Sequence, residues 1–244
     1  MRLPQHLMES IQVEVEKIEW RRLVQANAQL SERYKAGDFS TPAVANDAQR
    51  AAYLAVRFPA TYAANQRVFS EIKLRAPHAQ IASLLDLGAG PGTSLFAASE
   101  VFSTLQHGTL IEADDHWLAL GKNLAAKSPL PAVRQSQWLK HDLRSGFSCD
   151  THDLVVISYV LGELAPAAAE AVIRKAWACA QQFLVIMEPG TPRGFAAINA
   201  ARSALIASAA EVLAPCPHKH TCPMAVAGDW CHFAQRVERT AQHR

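Results

Sequence analysis

The sequence predicts an α/β fold with a mostly parallel sheet, and three observations carry that prediction. From Ile81 onward, short apolar runs alternate with stretches of helical periodicity. The first of those runs ends in a glycine-rich turn that leads directly into a helix. Acidic residues stand at the ends of the next two runs. Half of the 244 residues are hydrophobic, enough for one generous core or one core with a small appendage.

The expected strands are Ile81–Leu87, Thr109–Glu112, Gln135–Leu139, Leu154–Ser158 and Phe183–Met187. Helices are expected over Gly92–Phe102, Asp115–Ala126 and Pro166–Ala180, with another after Gly194 to Leu213. Alternation of this kind implies a mostly parallel sheet with helices on both faces. Ahead of them, residues 4–36 read as one long helix, with Met8, Ile11, Val15, Ile18 and Leu23 at helical spacing and Gly37 as its stop. A turn at Asp38-Phe39-Ser40-Thr41-Pro42 separates it from a second helix, from about Ala43 to Val56. Pro59 restarts a third helix, to about Arg75, before Pro77 ends it. No residue pattern in this region announces chemistry, so it reads as a helical cap. The chain thus divides into an N-terminal helical region (1–78), an α/β domain (79–213) and a Cys/His-rich tail (214–244).

The formal net charge is +2, with the positive excess at the ends and the negative excess between residues 81 and 187. Basic flanks around an acidic centre suit a protein that meets a polyanion with its rim. Glu9, Glu14, Glu16 and Glu19 near the start speak against an organellar transit peptide, and no secretory core follows. No run approaches the roughly 18 apolar residues of a membrane span. An intracellular protein is expected, with its five cysteines as reduced thiols or metal ligands.

Leu84-Leu85-Asp86-Leu87-Gly88-Ala89-Gly90-Pro91-Gly92-Thr93 is the sharpest signal. Glycines let the backbone turn tightly and approach a ligand, while the following helix offers free N–H groups. Asp86, two residues before the first glycine, would repel a pyrophosphate. It suits the cationic methionine portion of S-adenosylmethionine, and so favours that cofactor over NAD. Glu112 ends the second strand about 20 residues beyond the glycines, where an acid binds ribose hydroxyls. Asp114 is placed to cap the next helix. Asp142, after the third strand, is placed to accept a hydrogen bond from the adenine amino group, or to form a turn. Asp86, Gly88, Ala89, Gly90, Gly92, Glu112, Asp142 and Ser158 are therefore the candidate cofactor residues of a class I, Rossmann-like methyltransferase domain.

Ser158 and Tyr159 would stand beside the transferable methyl group. No Asn/Asp-Pro-Pro-aromatic motif follows the fourth strand, and no cysteine stands there to attack a pyrimidine. Glu163 is the only nearby carboxylate, and no catalytic residue is evident. The loop Met187-Glu188-Pro189-Gly190-Thr191-Pro192-Arg193-Gly194-Phe195 is shaped to face the same cleft, with Arg193 as a phosphate ligand or a solvated cation. In the tail, Cys216, Cys222 and Cys231 are spaced Cys-x5-Cys-x8-Cys among His218, His220 and His232. A segment too short for its own core is a candidate for organisation by an iron–sulfur cluster or by zinc. Cys149 and Cys179 look unrelated, one in a loop and one on a helix, and read as packing residues.

Together, Tyr53-Leu54-Ala55-Val56-Arg57-Phe58-Pro59-Ala60-Thr61-Tyr62, the glycine turn, Tyr159-Val160-Leu161-Gly162-Glu163-Leu164, Glu188-Pro189-Gly190-Thr191-Pro192, Cys216-Pro217-His218, Cys222-Pro223 and Trp230-Cys231-His232-Phe233 resemble the methyltransferase-like protein seventeen / Rsm-twenty-two family. The resemblance covers roughly residues 50–240. It implies an S-adenosylmethionine-dependent rRNA methyltransferase in small-subunit assembly, partnered by the assembling ribosome. Its place is the cytoplasm in bacteria and the mitochondrial matrix in eukaryotic relatives. It also implies a four-iron (4Fe-4S) cluster, with Cys216, Cys222 and Cys231 matching the first three ligands. The fourth family ligand lies in a carboxyl-terminal extension beyond Arg244, which leaves a longer chain, a histidine ligand or loss of the cluster as alternatives. A non-catalytic assembly factor that binds the same cofactors is the second reading.

Overall fold

The computed structural model describes residues 2–36 and 44–238. Gly37, the turn at 38–42 and the Ala43 start of the second expected helix lie outside the described residues.

Five strands form one sheet: β1 (Ser83–Leu87), β2 (His107–Glu112), β3 (Gln137–Lys140), β4 (His152–Ser158) and β5 (Ala180–Met187). The order is β3-β2-β1-β4-β5, and every neighbouring pair is parallel. The chain builds outward from β1 to β3, then crosses back to lay β4 on the other side of β1. Strand order reverses between β1 and β4, which is where a crevice opens at the carboxyl edge of such a sheet.

Successive side chains on a strand point to opposite faces, so each face has its own core. Leu84, Leu110, Leu154 and Val156 share one core with α1 (Gln5–Val15), α2 (Trp20–Ala36), α3 (Asp47–Ala52), α4 (Phe58–Arg75), α5 (Thr93–Val101), α6 (Asp115–Ala126) and α7 (Pro131–Arg134). Leu85, Leu87, Ile111, Val155 and Ile157 form the second core with α8 (Pro166–Cys179) and α9 (Pro192–Ala207). The α/β architecture with a parallel sheet is thus as expected. No helix among the described residues is long and apolar enough to cross a membrane.

Three local expectations change. Residues 4–36 form two helices, α1 and α2, with a break at Glu16–Glu19. A straight helix over that span would be about 50 Å long, more than one small core can cover. The break lets Leu7, Ile11 and Val15 share a core with Leu23, Ala26 and Leu30. The expected restart at Pro59 is a π-turn, Tyr53–Arg57, that joins α3 to α4 without interruption, the Phe58 N–H donating to Tyr53 O. Proline lacks a donor and its ring crowds the carbonyl four residues back; a widened turn accommodates both effects. Finally, Cys149 and Cys179, expected to be unrelated, are joined by a disulfide. Cys179 ends α8 facing the second core at 2% exposure, where the loop carrying Cys149 packs. Cys216, Cys222 and Cys231 are free thiols.

Candidate functional site

A cleft of about 1930 Å³ opens over the carboxyl ends of β1, β2 and β4. Its floor is the glycine turn. Gly88 and Ala89 both donate N–H bonds to Ile111 O, at 2.8 and 3.0 Å, and Gly92 donates to Ala89 O at 2.8 Å. Gly88 has φ 71°, and a Cβ there would lie 2.6 Å from Val160 Cγ2. Only glycine fits both the left-handed backbone and the close approach.

Glu112 ties the tip of β2 to this turn. Its Oε2 accepts from Gly90 N at 2.8 Å, while Oε1 accepts from Ala113 N at 2.7 Å and Asp114 N at 2.9 Å. Burial raises its pKa, and those three N–H groups oppose the rise. A carboxylate has about four acceptor positions, so one remains for a ligand hydroxyl. Asp114 caps α6, its Oδ1 accepting from His116 N and Trp117 N.

Asp86 lies beneath the turn at 1% exposure. Burial pushes its pKa up to about 7, Ser94 bonding it and Glu112 repelling it. Its Oδ2 has no hydrogen-bond partner among the described residues, and neither has Thr93 Oγ1, buried in the cleft wall. Buried polar atoms are normally paired, so these two oxygens mark places for a ligand's donors. A cationic, hydroxyl-bearing nucleoside such as S-adenosylmethionine fits them; a pyrophosphate brings charge of the wrong sign.

Ser158, at the tip of β4, has its Oγ 3.2 Å from the Nδ2 donor of the fully buried Asn65 of α4. Asp142 stands at the cleft edge, but its carboxylate is held by Arg144 through Nε and Nη2 at 2.7–3.0 Å. That guanidinium, with the Arg144 N–H, keeps the Asp142 carboxyl below the usual carboxylate range. Tyr159 follows Ser158 with φ 63°. A left-handed conformation costs a non-glycine residue roughly 1–2 kcal/mol, and such strain concentrates at functional sites. Its N–H donates to Met187 O at 2.8 Å, which anchors the strained residue to β5. Beyond it, burial together with Glu112 and Glu188 pushes Glu163 up to about 7. Glu188 accepts from Leu161 N at 2.7 Å, and Arg193 donates to Gly162 O at 2.8 Å across the same turn.

Two contributions to the cleft come from outside the α/β domain, from the helical region and from the tail. Arg57, Ala60, Thr61 and Ala64 line it from the helical region, and Phe233 and Gln235 line it from the tail. Arg57, Ala60, Thr61 and Phe233 lie inside the segments Tyr53–Tyr62 and Trp230–Phe233 that carry the family resemblance, but neither segment's residue pattern points to the cleft. The tail folds back so that His232 rests on Gly190, where an added Cβ would lie 2.8 Å from His232 Cβ. Within it, burial and then the neighbouring thiols of Cys222 and Cys216 raise the Cys231 pKa. The three cysteines are therefore electrostatic neighbours. Even so, no three His, Cys, Asp or Glu side chains among the described residues are grouped to hold a metal ion.

The parallel sheet, its switch-point cleft and its glycine floor define a Rossmann-like α/β protein. Residues 47–244 match the family described as "Mitochondrial small ribosomal subunit Rsm22", and the chain belongs to that family. It is 29% identical over 201 residues to the human "Ribosome assembly protein METTL17, mitochondrial", covering 75% of this chain and 42% of that protein. It is 28% identical over 213 residues to the Schizosaccharomyces pombe "Rsm22-cox11 tandem protein 2, mitochondrial", covering 78% of this chain and 28% of that protein. The chain thus spans less than half the length of these relatives. Among solved structures, it overlaps in part with the S-adenosylmethionine-bound amino pentose methyltransferase CalS10 of Micromonospora echinaspora (TM-score 0.46, 23% identity, 60% of this chain and 58% of that one). A similar overlap exists with the plantazolicin methyltransferase BpumL (TM-score 0.46, 16% identity, 72% and 62%).

Proposed function

We propose that this chain is an S-adenosylmethionine-dependent methyltransferase acting on small-subunit rRNA during ribosome assembly. The observation that carries the reading is the unpaired, buried Asp86 Oδ2 beneath the Gly88–Gly92 turn, in a chain of the Rsm22 family. The cofactor supplies an electrophilic methyl group on a sulfonium. The chain's part is to bind, orient and exclude water, because in-line transfer depends chiefly on alignment. Asp86 and Glu112 hold the cationic and ribose portions, Ser158 and Tyr159 border the acceptor, and Glu163 is the carboxylate on that side able to take a proton near neutrality. Asp142 contributes to adenine only if Arg144 yields its carboxylate.

The tail (214–244) is proposed to hold a four-iron cluster through Cys216, Cys222 and Cys231, with zinc as the alternative. Three free thiols interleaved with histidines, on a segment without its own core, support this. The cysteines must then be drawn together by the metal. Anaerobically purified protein should contain iron and acid-labile sulfide; zinc alone or no metal rejects the cluster. The partner is the assembling small subunit, in the cytoplasm of bacteria or the mitochondrial matrix.

One observation favours a second reading, a non-catalytic assembly factor with the same cofactors. Ser158-Tyr159-Val160-Leu161 supplies neither an amine grip nor a cysteine nucleophile at the transfer side. Labelled methyl transfer to small-subunit particles decides between the two. Incorporation into their RNA supports the enzyme; binding of cofactor without transfer at any assembly stage supports the scaffold.

A further inference from the structure

We propose that Arg57 binds the carboxylate at the amino-acid end of the cofactor, which makes the N-terminal helical region part of the binding site. This rests on the cofactor reading above and adds a residue to it. Arg57 ends the π-turn and reaches the cleft wall together with Ala60, Thr61 and Ala64. Those positions are three, four and seven residues further on, one face of a helix. Their small side chains leave this stretch of the wall low, in the cleft that the Gly88–Gly90 turn also lines. One extra residue in a turn shifts the helical phase by about 100°. That shift lets α3 keep Ala48, Ala51 and Ala52 in the core while α4 turns this face to the cleft.

The wall is fixed in place. Phe58 packs on Phe96 of α5, the helix that leaves the glycine turn, with ring centroids 6.1 Å apart. Asn65, one turn on from Thr61, donates to Thr61 O at 3.0 Å and bridges to Ser158. Arg57 Nη2 lies 3.5 Å from Ser31 Oγ, and both residues line the cleft.

Charge completes the case. Glu112, Asp114, Glu163 and Glu188 line this cleft. They suit a sulfonium and an ammonium but repel the α-carboxylate carried by the same ligand. Arg144, paired with Asp142, and Arg193, donating to Gly162 O, enter the same cleft from the loops that follow β3 and β5. Arg57 is the cation contributed by the wall of α4. Its planar fork matches a carboxylate through two parallel N–H bonds, as a lysine ammonium does not.

The test compares S-adenosylmethionine with its decarboxylated analogue, by calorimetry on the full chain and on Arg57→Ala and Arg57→Lys. The ratio of the two affinities should fall by about tenfold or more in Arg57→Ala and by less in Arg57→Lys. The fall should persist in about 0.5 M salt, where the Debye length is roughly 4 Å and through-space effects are screened. An unchanged ratio in a folded Arg57→Ala protein, or a change that disappears in salt, overturns the assignment while leaving the cofactor site standing. Wild-type protein that takes up neither compound overturns the cofactor reading and this inference with it. If Arg57→Ala melts before it can be titrated, Arg57→Gln gives the same comparison with the side-chain volume retained.

Discussion

The glycine cleft and the cysteine tail are built by opposite means. The cleft is the exposed end of a buried sheet: Leu84, Leu85, Leu87, Leu154 and Ile157 are wholly buried, and the loop above them is held by main-chain bonds to β2. Among its described residues the tail has one short helix, α10 (Pro223–Val226), with no buried residue, and leaves Val226 and Phe233 largely exposed. Its anchors are polar, such as Arg202 bonding His218 and Lys219 pairing with Glu211. The cleft is therefore preorganised by the hydrophobic core, whereas the described part of the tail rests on few contacts. Strain and desolvation are found at the cleft, where the packing beneath can sustain them.

The largest expected effect concerns Asp86. Its carboxyl, which ordinarily titrates near 3.8, is raised to about 7 in the fold. Stability from this group is present below pH 4 and is lost as pH rises through 7. Asp86→Asn should flatten that decline and stabilise the ligand-free protein at pH 8 by up to about 4 kcal/mol, read by urea denaturation. A cationic ligand favours the carboxylate, so wild-type cofactor affinity should rise as pH passes 7 and that of Asp86→Asn should not. Next in size is Gly88→Ala, which meets Val160 and a positive φ together; a loss of about 3 kcal/mol is expected. Gly90→Ala, with open space around it, should cost only about 1 kcal/mol. Equal losses at the two positions would contradict the described turn.

Replacing Cys216, Cys222 and Cys231 by serine should change global unfolding by less than about 1 kcal/mol while speeding hydrogen exchange in the tail. A concerted loss of the sheet would instead make the tail part of the core. The smallest effect is expected of Asp142→Asn, on an exposed pair, with no measurable change in melting. A drop in cofactor affinity in that variant would show that Asp142 leaves Arg144 to bind ligand.

Much of the sheet was legible because parallel strands buried on both faces leave apolar runs. The bounds of α6 were legible because Asp114 is a capping residue at the end of a strand. Asp86, the glycines and Glu112 were legible because each sits at a strand tip, where topology dictates proximity. What escaped depends on long-range return of the chain. The break between Val15 and Trp20 carries no proline or glycine. The pairing of Cys149 with Cys179 spans 30 residues and a crossover. The approach of Phe233 to the cleft depends on a tail with no periodicity. Arg57 escaped for a different reason: the phase of its helix is set by a π-turn, and helical periodicity assumes a constant one.

Titration calorimetry with S-adenosylmethionine on the folded full chain, beside Gly88→Val, addresses the central claim most directly. One saturable site in the wild type, absent from Gly88→Val, is the expected result. Well-folded wild-type protein that releases no heat of binding, at both neutral and mildly alkaline pH, would contradict the assignment of the cleft.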